Sequence, residues 1–317
     1  MALESGTYIK DLVDTNPPGT DAISQGDDHI RLIKTVLQNS FPSTNNAAII
    51  PDISGNGLKY LQVNSGATAT QWANIRQRGY VSKARFEWSS ATQILIGAGE
   101  YEVDDGTAPE NYYWDSQLTF TIGSGGSNSA SSAAGTSQWQ YLYIDDSAIS
   151  ASPLVAGSFL NSTTAPTYNH TKHGWYNGSD RCIFAFYIDA SGDIAEFYHD
   201  GNEAVGYGTP FSTNINSSSS WQTATLTMPA FATKALTTFY SDGNGSGISK
   251  FFYRTYGSTS TWGHLVGKVE DDEAEWNVSG FQVFTDSSSR IEIIDQVATS
   301  NYNVEVHSTG YFLPNGM

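Results

Sequence analysis

The chain has 317 residues, with 15 basic and 32 acidic side chains, a formal net charge of -17 and one cysteine. Its Lys and Arg are dispersed, so neither a nucleic-acid backbone nor an anionic membrane is an expected partner. A single cysteine excludes an intrachain disulfide framework or thiolate cluster, and folding is expected to rest on burial or oligomerisation.

Charged residues make up 15% and aromatics 13%, with 30 glycines, a balance that favours turns and pleated surfaces over helices. The expected fold is mainly β: a short N-terminal arm and one helix, then two antiparallel β-rich modules, the C-terminal one a jelly-roll-like sandwich. The opening MALESGTYIKDLVD has no basic n-region or apolar core, and no stretch reaches the roughly 20 apolar residues of a membrane span. Synthesis in a cytoplasm without membrane insertion is the expectation.

Residues 1–57 read as an extended arm, a turn at Asn16-Pro17-Pro18-Gly19 and a helix over 24–39 that stops before Pro42. Ser24 and Asp27 make a capping-box-like start, and Asp27 and Asp28 lie at the positive end of the helix dipole. Ile30, Ile33, Val36, Leu37 and Phe41 recur at spacings of three and four as one narrow apolar stripe. A lone helix of this length is marginal in water, so the stripe is expected to pack on the arm, another subunit or a docking surface.

Residues 58–79 alternate like a strand, turn at Asn64-Ser65-Gly66 and resume through Trp72 and Ile75, which predicts a connecting hairpin or shaft. A first β-rich module is expected over 80–208, with strands at 84–88, 93–96, 118–122, 139–144, 181–188 and 194–199. Within it the stretch GSGGSNSASSAAGTS (123–137) is too poor in apolar residues to order itself strongly and is expected as an exposed, mobile loop. Residues 209–222, with the serine run Ser217 to Ser220, read as a linker. The C-terminal module, 223–317, is expected to hold strands at 224–228, 236–240, 249–256, 265–270, 275–284, 290–294, 303–306 and 310–313.

The stretch ESGTYIKDLVDTNPPGTDAISQGDDHIRLIKTVLQNSFP (4–42) closely resembles a segment that recurs at the N-terminus of tail-fibre and other appendage proteins of tailed bacteriophages. LKYLQVNSGATATQWANI (58–75) resembles the L-x-V-N-x-G-x-T-A-x-x-W hairpin motif of phage tail fibres, and YNGSDRCIFAFYIDASGDIAEFYHDG (176–201) is similar to modules of phage structural proteins. The resemblance implies a homotrimeric fibre on the outside of a virion. Its N-terminal segment would dock on other virion structural proteins, and its outer modules would meet a host cell-surface glycan or protein. A head or neck fibre, or a decoration protein without a dedicated receptor, is the alternative, and a glycan-degrading tailspike a further one.

Candidate chemistry is sparse. Asp242-Gly243-Asn244-Gly245-Ser246-Gly247 imitates the start of a calcium loop, but the twelfth position is Tyr253 where a bidentate Glu is needed. His170, His173 and Cys182 fit no structural zinc spacing, and Cys182 lies in the apolar run Arg181 to Phe186, as a buried strand thiol would. No nucleophile elbow and no repeat that would build a paired-carboxylate scaffold is present, so no catalytic residue, metal or cofactor is assigned. The remaining signal is aromatic: Tyr112, Tyr113 and Trp114, Trp175 and Tyr176, and Trp221 and Trp262 beside polar turns. Such rings either stack on sugar faces or line β cores and interfaces.

Overall fold

In the computed structural model the chain divides into two units, Met1–Gln77 and Arg78–Met317. Described are residues 7, 11–12, 26–40, 59–63, 70–74, 79–106, 109–150, 152–216, 218–242, 249–261, 263–269, 275–296 and 303–317. Ser24, Phe41, Trp262, the turn at 64–66 and most of the loop at 242–247 lie outside the described residues.

Unit one contains helix α1 (Gly26–Ser40), whose first turn carries Asp27 and Asp28. Arg31 pairs with Asp27 at 3.2 Å one turn away, a solvated contact that fixes little. The apolar residues do not form one stripe. Val36 is fully buried, on the flank it shares with buried His29, whereas Ile30, Ile33 and Leu37 are 55%, 47% and 44% exposed. Val36 therefore leaves the expected stripe, because spacings of three and four trace two neighbouring flanks of a helix. Strands β1 (Lys59–Val63) and β2 (Thr70–Asn74) pair antiparallel, with Lys59 opposite Asn74, as the expected hairpin.

Unit two opens with β3 (Val81–Ser82), β4 (Phe86–Ser90), β5 (Gln93–Ile96), β6 (Gly99–Asp104), β7 (Pro109–Trp114) and β8 (Leu118–Thr121). It continues through β9 (Gln138–Ile144), β10 (Phe159–Ser162), β11 (Thr167–Asn169), β12 (Gly174–Asn177), β13 (Asp180–Ile188) and β14 (Phe197–His199). The last strands are β15 (Ala204–Asn216), β16 (Gln222–Thr225), β17 (Lys234–Asp242), β18 (Ser249–Thr255), β19 (His264–Val269), β20 (Glu275–Phe284), β21 (Arg290–Asp295) and β22 (Asn303–Phe312).

All described pairings are antiparallel. An eight-stranded sheet runs β20-β17-β22-β15-β14-β4-β5-β8, beside sheets β10-β9-β13-β12-β11, β16-β21-β18-β19 and β3-β6-β7. The long sheet is the shared layer of a β-sandwich. Phe86 of β4 stacks on Phe184 of β13 at 4.2 Å. Tyr311 of β22 meets Trp139 of β9 edge-on at 5.5 Å and donates its hydroxyl to the Ala185 carbonyl at 2.6 Å. Toward the other end, Phe239 of β17 packs on Tyr253 of β18 at 6.2 Å. Residues 181–186 of β13 are buried at every position, which requires cover on both faces of the strand.

A guanidinium is interred in this core. Arg181 is fully buried; its guanidinium donates to the carbonyls of Glu102 and Gly316 and lies 5.7 Å from the rings of Tyr101 and Tyr176. Carbonyl dipoles and ring faces thus replace part of the water it has lost, while its Nε has no hydrogen-bond partner.

Two expectations are corrected. The 209–222 linker is mostly strand: β15 runs through residue 216 and pairs with β22 from Ala204 opposite Phe312 to Asn216 opposite Asn303. The two β-rich stretches therefore share a sheet and a core, and the boundary expected between them is no break in the fold. The polar residues Ser212, Asn214 and Asn216 are exposed positions on one face of β15. The 123–137 loop is also not a free tether. Asn128 and Ser131 are buried; Asn128 Nδ2 donates to Asp145 Oδ2 at 2.8 Å and Asn161 Nδ2 donates to the Ser132 carbonyl at 2.9 Å. Side-chain amides supply the order that apolar burial does not.

Candidate functional site

The aromatics singled out from the sequence do not converge. Tyr112, Tyr113 and Trp114 belong to β7, not to a loop. Trp114 is a core residue, sandwiched against Tyr101 at 5.8 Å and edge-on to Phe159 at 5.1 Å, whereas Tyr113 remains 44% exposed. Tyr176 is buried, and Trp175 is half-buried against Tyr168 and Phe231. Trp221 lies under the Arg254 guanidinium at 4.2 Å. Cys182 is fully buried, and burial pushes its thiol well above the usual range, so it is no nucleophile. Among the described residues, no group of three His, Cys, Asp or Glu side chains is placed to hold a metal ion, and no helix is long and apolar enough to cross a membrane.

A different constellation forms a groove on unit two. A bulge in β4 between Trp88 and Ser90 sits at the strand's end, and Trp88 keeps 37% of its surface exposed there. Its indole N–H donates to the Ile194 carbonyl at 2.9 Å, which fixes the ring. Opposite, the register of β15 slips between Gly206 and Phe211, a segment containing Pro210, which has no N–H for the ladder. Phe211 meets Tyr187 at 4.9 Å and Tyr207 at 5.1 Å, both edge-on.

The floor comes from the turn between β13 and β14. Asp189 Oδ1 accepts from the backbone N–H groups of Ser191 at 2.8 Å and Asp193 at 3.0 Å, and Gly192 takes the positive φ of 88° that the turn needs. Trp88, Tyr187, Pro210 and Phe211, with Asp189, Asp193 and Glu196, enclose about 440 Å3. A second hollow of about 280 Å3 is lined by Arg85, Glu87, Tyr198 and His199, among others. Trp88 and Glu196 line both hollows.

Charge in the two hollows differs. The larger hollow presents three carboxylates and no Lys, Arg or His among its lining residues. In the smaller, Arg85 Nε pairs with Glu87 at 3.1 Å. Tyr198, 62% exposed, donates to Glu196 Oε1 at 2.6 Å, and that hydrogen bond raises its phenol above the ordinary value. Gly208 is required nearby, because a Cβ there would lie 2.8 Å from the Cβ of Glu196. His199 is held beneath: its Nδ1 accepts from the Phe86 N–H at 3.0 Å, and burial lowers it to about 4, so it is neutral.

Sequence reasoning missed this groove because its residues come from three separated segments. Trp88 shares strand parity with Phe86 and so reads as core; the turn Asp189-Ala190-Ser191-Gly192-Asp193 was its one legible signal.

The fold and groove together define an antiparallel β-sandwich with an aromatic, carboxylate-bearing surface cleft. No protein-family model matches the chain, and no curated protein matches it by sequence. Among solved structures it is similar to a Bacillus endospore appendage pilus protein at 11% identity and TM-score 0.16, over 32% of this chain and 85% of that one. It is also similar to infectious bursal disease virus, Gt strain, at 9% identity and TM-score 0.18, over 76% of this chain and 74% of that one. The subviral particle of that virus's VP2 gives 7% identity and TM-score 0.16, over 75% and 74%. Likenesses this slight carry no argument about function.

Proposed function

We propose that this chain is a non-enzymatic virion protein of a tailed bacteriophage, an oligomeric fibre or adhesin. Its N-terminal segment docks on other virion proteins, and its β-sandwich meets a host cell-surface glycan or protein. The observation that carries the reading is the exposed row Ile30, Ile33 and Leu37 on α1, within the segment that resembles phage docking arms. Three large apolar side chains on one flank of a short helix are stable in water only against a partner. The hairpin that follows supports the same order of parts, with a fibre-type motif leading to an outer module. A homotrimer multiplies weak contacts through effective concentration, which suits a particle that must stay on a cell.

The test is cryo-electron microscopy of intact virions carrying this chain. Three copies at each tail-side attachment point, with residues 26–40 against another protein and unit two outward, is the expected result. Copies spread over the capsid shell would replace the adhesin with a decoration protein, and a chain absent from virions would refute the proposal. Ile33→Asp puts a charge into the row and is expected to abolish incorporation while leaving unit two folded.

A further inference from the structure

We propose that the larger hollow, beside Trp88, seats a basic side chain, Lys or Arg, of a partner protein. This deepens the adhesin reading and rests on it for that partner being a protein of the host surface. Asp189, Asp193 and Glu196 line the hollow, and no Lys, Arg or His lines it with them. Asp189 Oδ1 accepts from the N–H groups of its own turn and Glu196 Oε1 from Tyr198. Among the described residues, that leaves Asp189 Oδ2, Glu196 Oε2 and the Asp193 carboxylate without a hydrogen bond, and none of the three residues in an ion pair. Arg85 lines the other hollow, and its Nε is already paired with Glu87 at 3.1 Å. Like charges held in one hollow repel, and a cation entering it is attracted by all of them.

The rest of the lining sets the form of the cation. The three carboxylates are not placed to hold a metal ion, whereas the N–H donors of a larger cationic head reach acceptors that stand apart. Trp88, Tyr187 and Phe211 present ring surface in the same hollow. A ring face attracts an ammonium or guanidinium within roughly 6 Å, and the aliphatic stem behind it covers apolar carbon. The protein makes this contact twice within itself. Arg254 lies 4.2 Å over the Trp221 ring with its Nε on Glu292 at 2.7 Å, and Arg290 lies 3.6 Å over Tyr256 with Asp286 at 2.7 Å. The hollow beside Trp88 has the rings and the acids of that arrangement and lacks only the base. Pro210 adds apolar wall for the residue next to the basic one, which a peptide has and a free polyamine lacks. Trp, Tyr and Arg are also the residues that anchor protein interfaces. The site is preformed: Trp88 is fixed by the Ile194 carbonyl and the 189–193 turn by Asp189, so little ordering opposes binding.

The experiment follows the Trp88 indole N–H of the full chain by NMR with isotope-labelled tryptophan, the resonance being the one lost in Trp88→Phe. The probes are the N-acetyl methylamides of Lys, Arg, norleucine and Glu, with spermidine as a free polyamine. The Lys or the Arg probe is expected to shift that resonance saturably and to bind at least about tenfold tighter than norleucine, which has a similar stem without the charge. Raising the salt from about 50 to about 500 mM should weaken this binding several-fold. Asp193→Asn with Glu196→Gln should weaken it by about tenfold, the remaining indole resonances staying in place to show that unit two is folded. Equal affinity for norleucine, equal or tighter binding of the Glu probe, an affinity that ignores salt or the double substitution, or no shift with any probe at about 50 mM overturns the proposal. Spermidine binding tighter than both basic probes overturns the protein partner in favour of a free polyamine. Failure here with the chain seen on virions leaves the fibre reading standing; binding of the basic probes by a chain absent from virions sinks that reading and not this one.

Discussion

Acidification should destabilise unit two through His199, and the size of the effect follows from its surroundings. Its side chain is fully buried, tilted against Phe86 at 5.5 Å and Phe184 at 5.7 Å; Nδ1 accepts a backbone hydrogen bond while Nε2 has none. Burial lowers its pKa from 6.5 to about 4 and outweighs the Asp200 carboxylate 3.9 Å away, while Lys83 and Arg85 push it further down. Between those two values the unfolded chain binds the proton and the folded chain does not, so stability is fully present above 6.5 and falls as the pH drops toward 4. From about pH 7.5 to about pH 5 the linkage comes to about 2 kcal/mol. That range stays above the isoelectric point of 4.5, where solubility is poorest. Asp146 and Asp180, both raised by burial, act in the opposite sense, since a raised carboxyl favours the folded state as pH falls. His199→Asn keeps an acceptor for the Phe86 N–H but does not titrate, and both proteins share the carboxylates, so their difference isolates the imidazole. Urea unfolding of each across the range should show the wild type losing about 2 kcal/mol more than the variant. A difference between the two proteins that stays constant with pH would refute the reasoning.

Three further outcomes are expected. Trp114→Ala should cost about 3–5 kcal/mol in denaturant unfolding and Tyr113→Ala less than about 0.5 kcal/mol; comparable losses would mean that β7 does not turn Trp114 into the core. Gly310→Ala should lower the melting temperature sharply or prevent soluble expression, because the new Cβ would stand 2.3 Å from the Val205 carbonyl oxygen; wild-type melting would disprove the register of β15 on β22. Cys182 should resist a disulfide reagent in the native protein and react at once in denaturant, and rapid native labelling would contradict its burial.

Much of the strand pattern was legible because period-two alternation is a local property. β5 (Gln93–Ile96) and β20 (Glu275–Phe284) fall on the expected residues, and the long apolar run at β13 announced itself. β6, β7 and β12 were not legible. Their sequences mix Gly, Pro, Asn and Glu with aromatics, and they become strands only because Tyr101, Trp114 and Tyr176 have a core to enter. β15 failed for the opposite reason: Gly206, Gly208, Pro210 and Asn214 carry every local mark of a linker, and its partners impose the extended form, β14 at 205–207 and β22, about 100 residues later, along the rest. The groove was least legible of all, since nothing local brings Trp88, Asp189 and Phe211 together.

That distant pairing bears on how the protein is made. β22 lies between β15 and β17 and is the link that joins the two halves of the eight-stranded sheet. Until residues 303–312 leave the ribosome, β15 and β17 each present an open hydrogen-bonding edge. A nascent chain in that condition is a template for the same chain on a neighbouring ribosome. The rate at which residues 217–312 are translated therefore sets how long each molecule is exposed to mispairing, and slowing synthesis over that stretch should cost soluble yield before it costs stability.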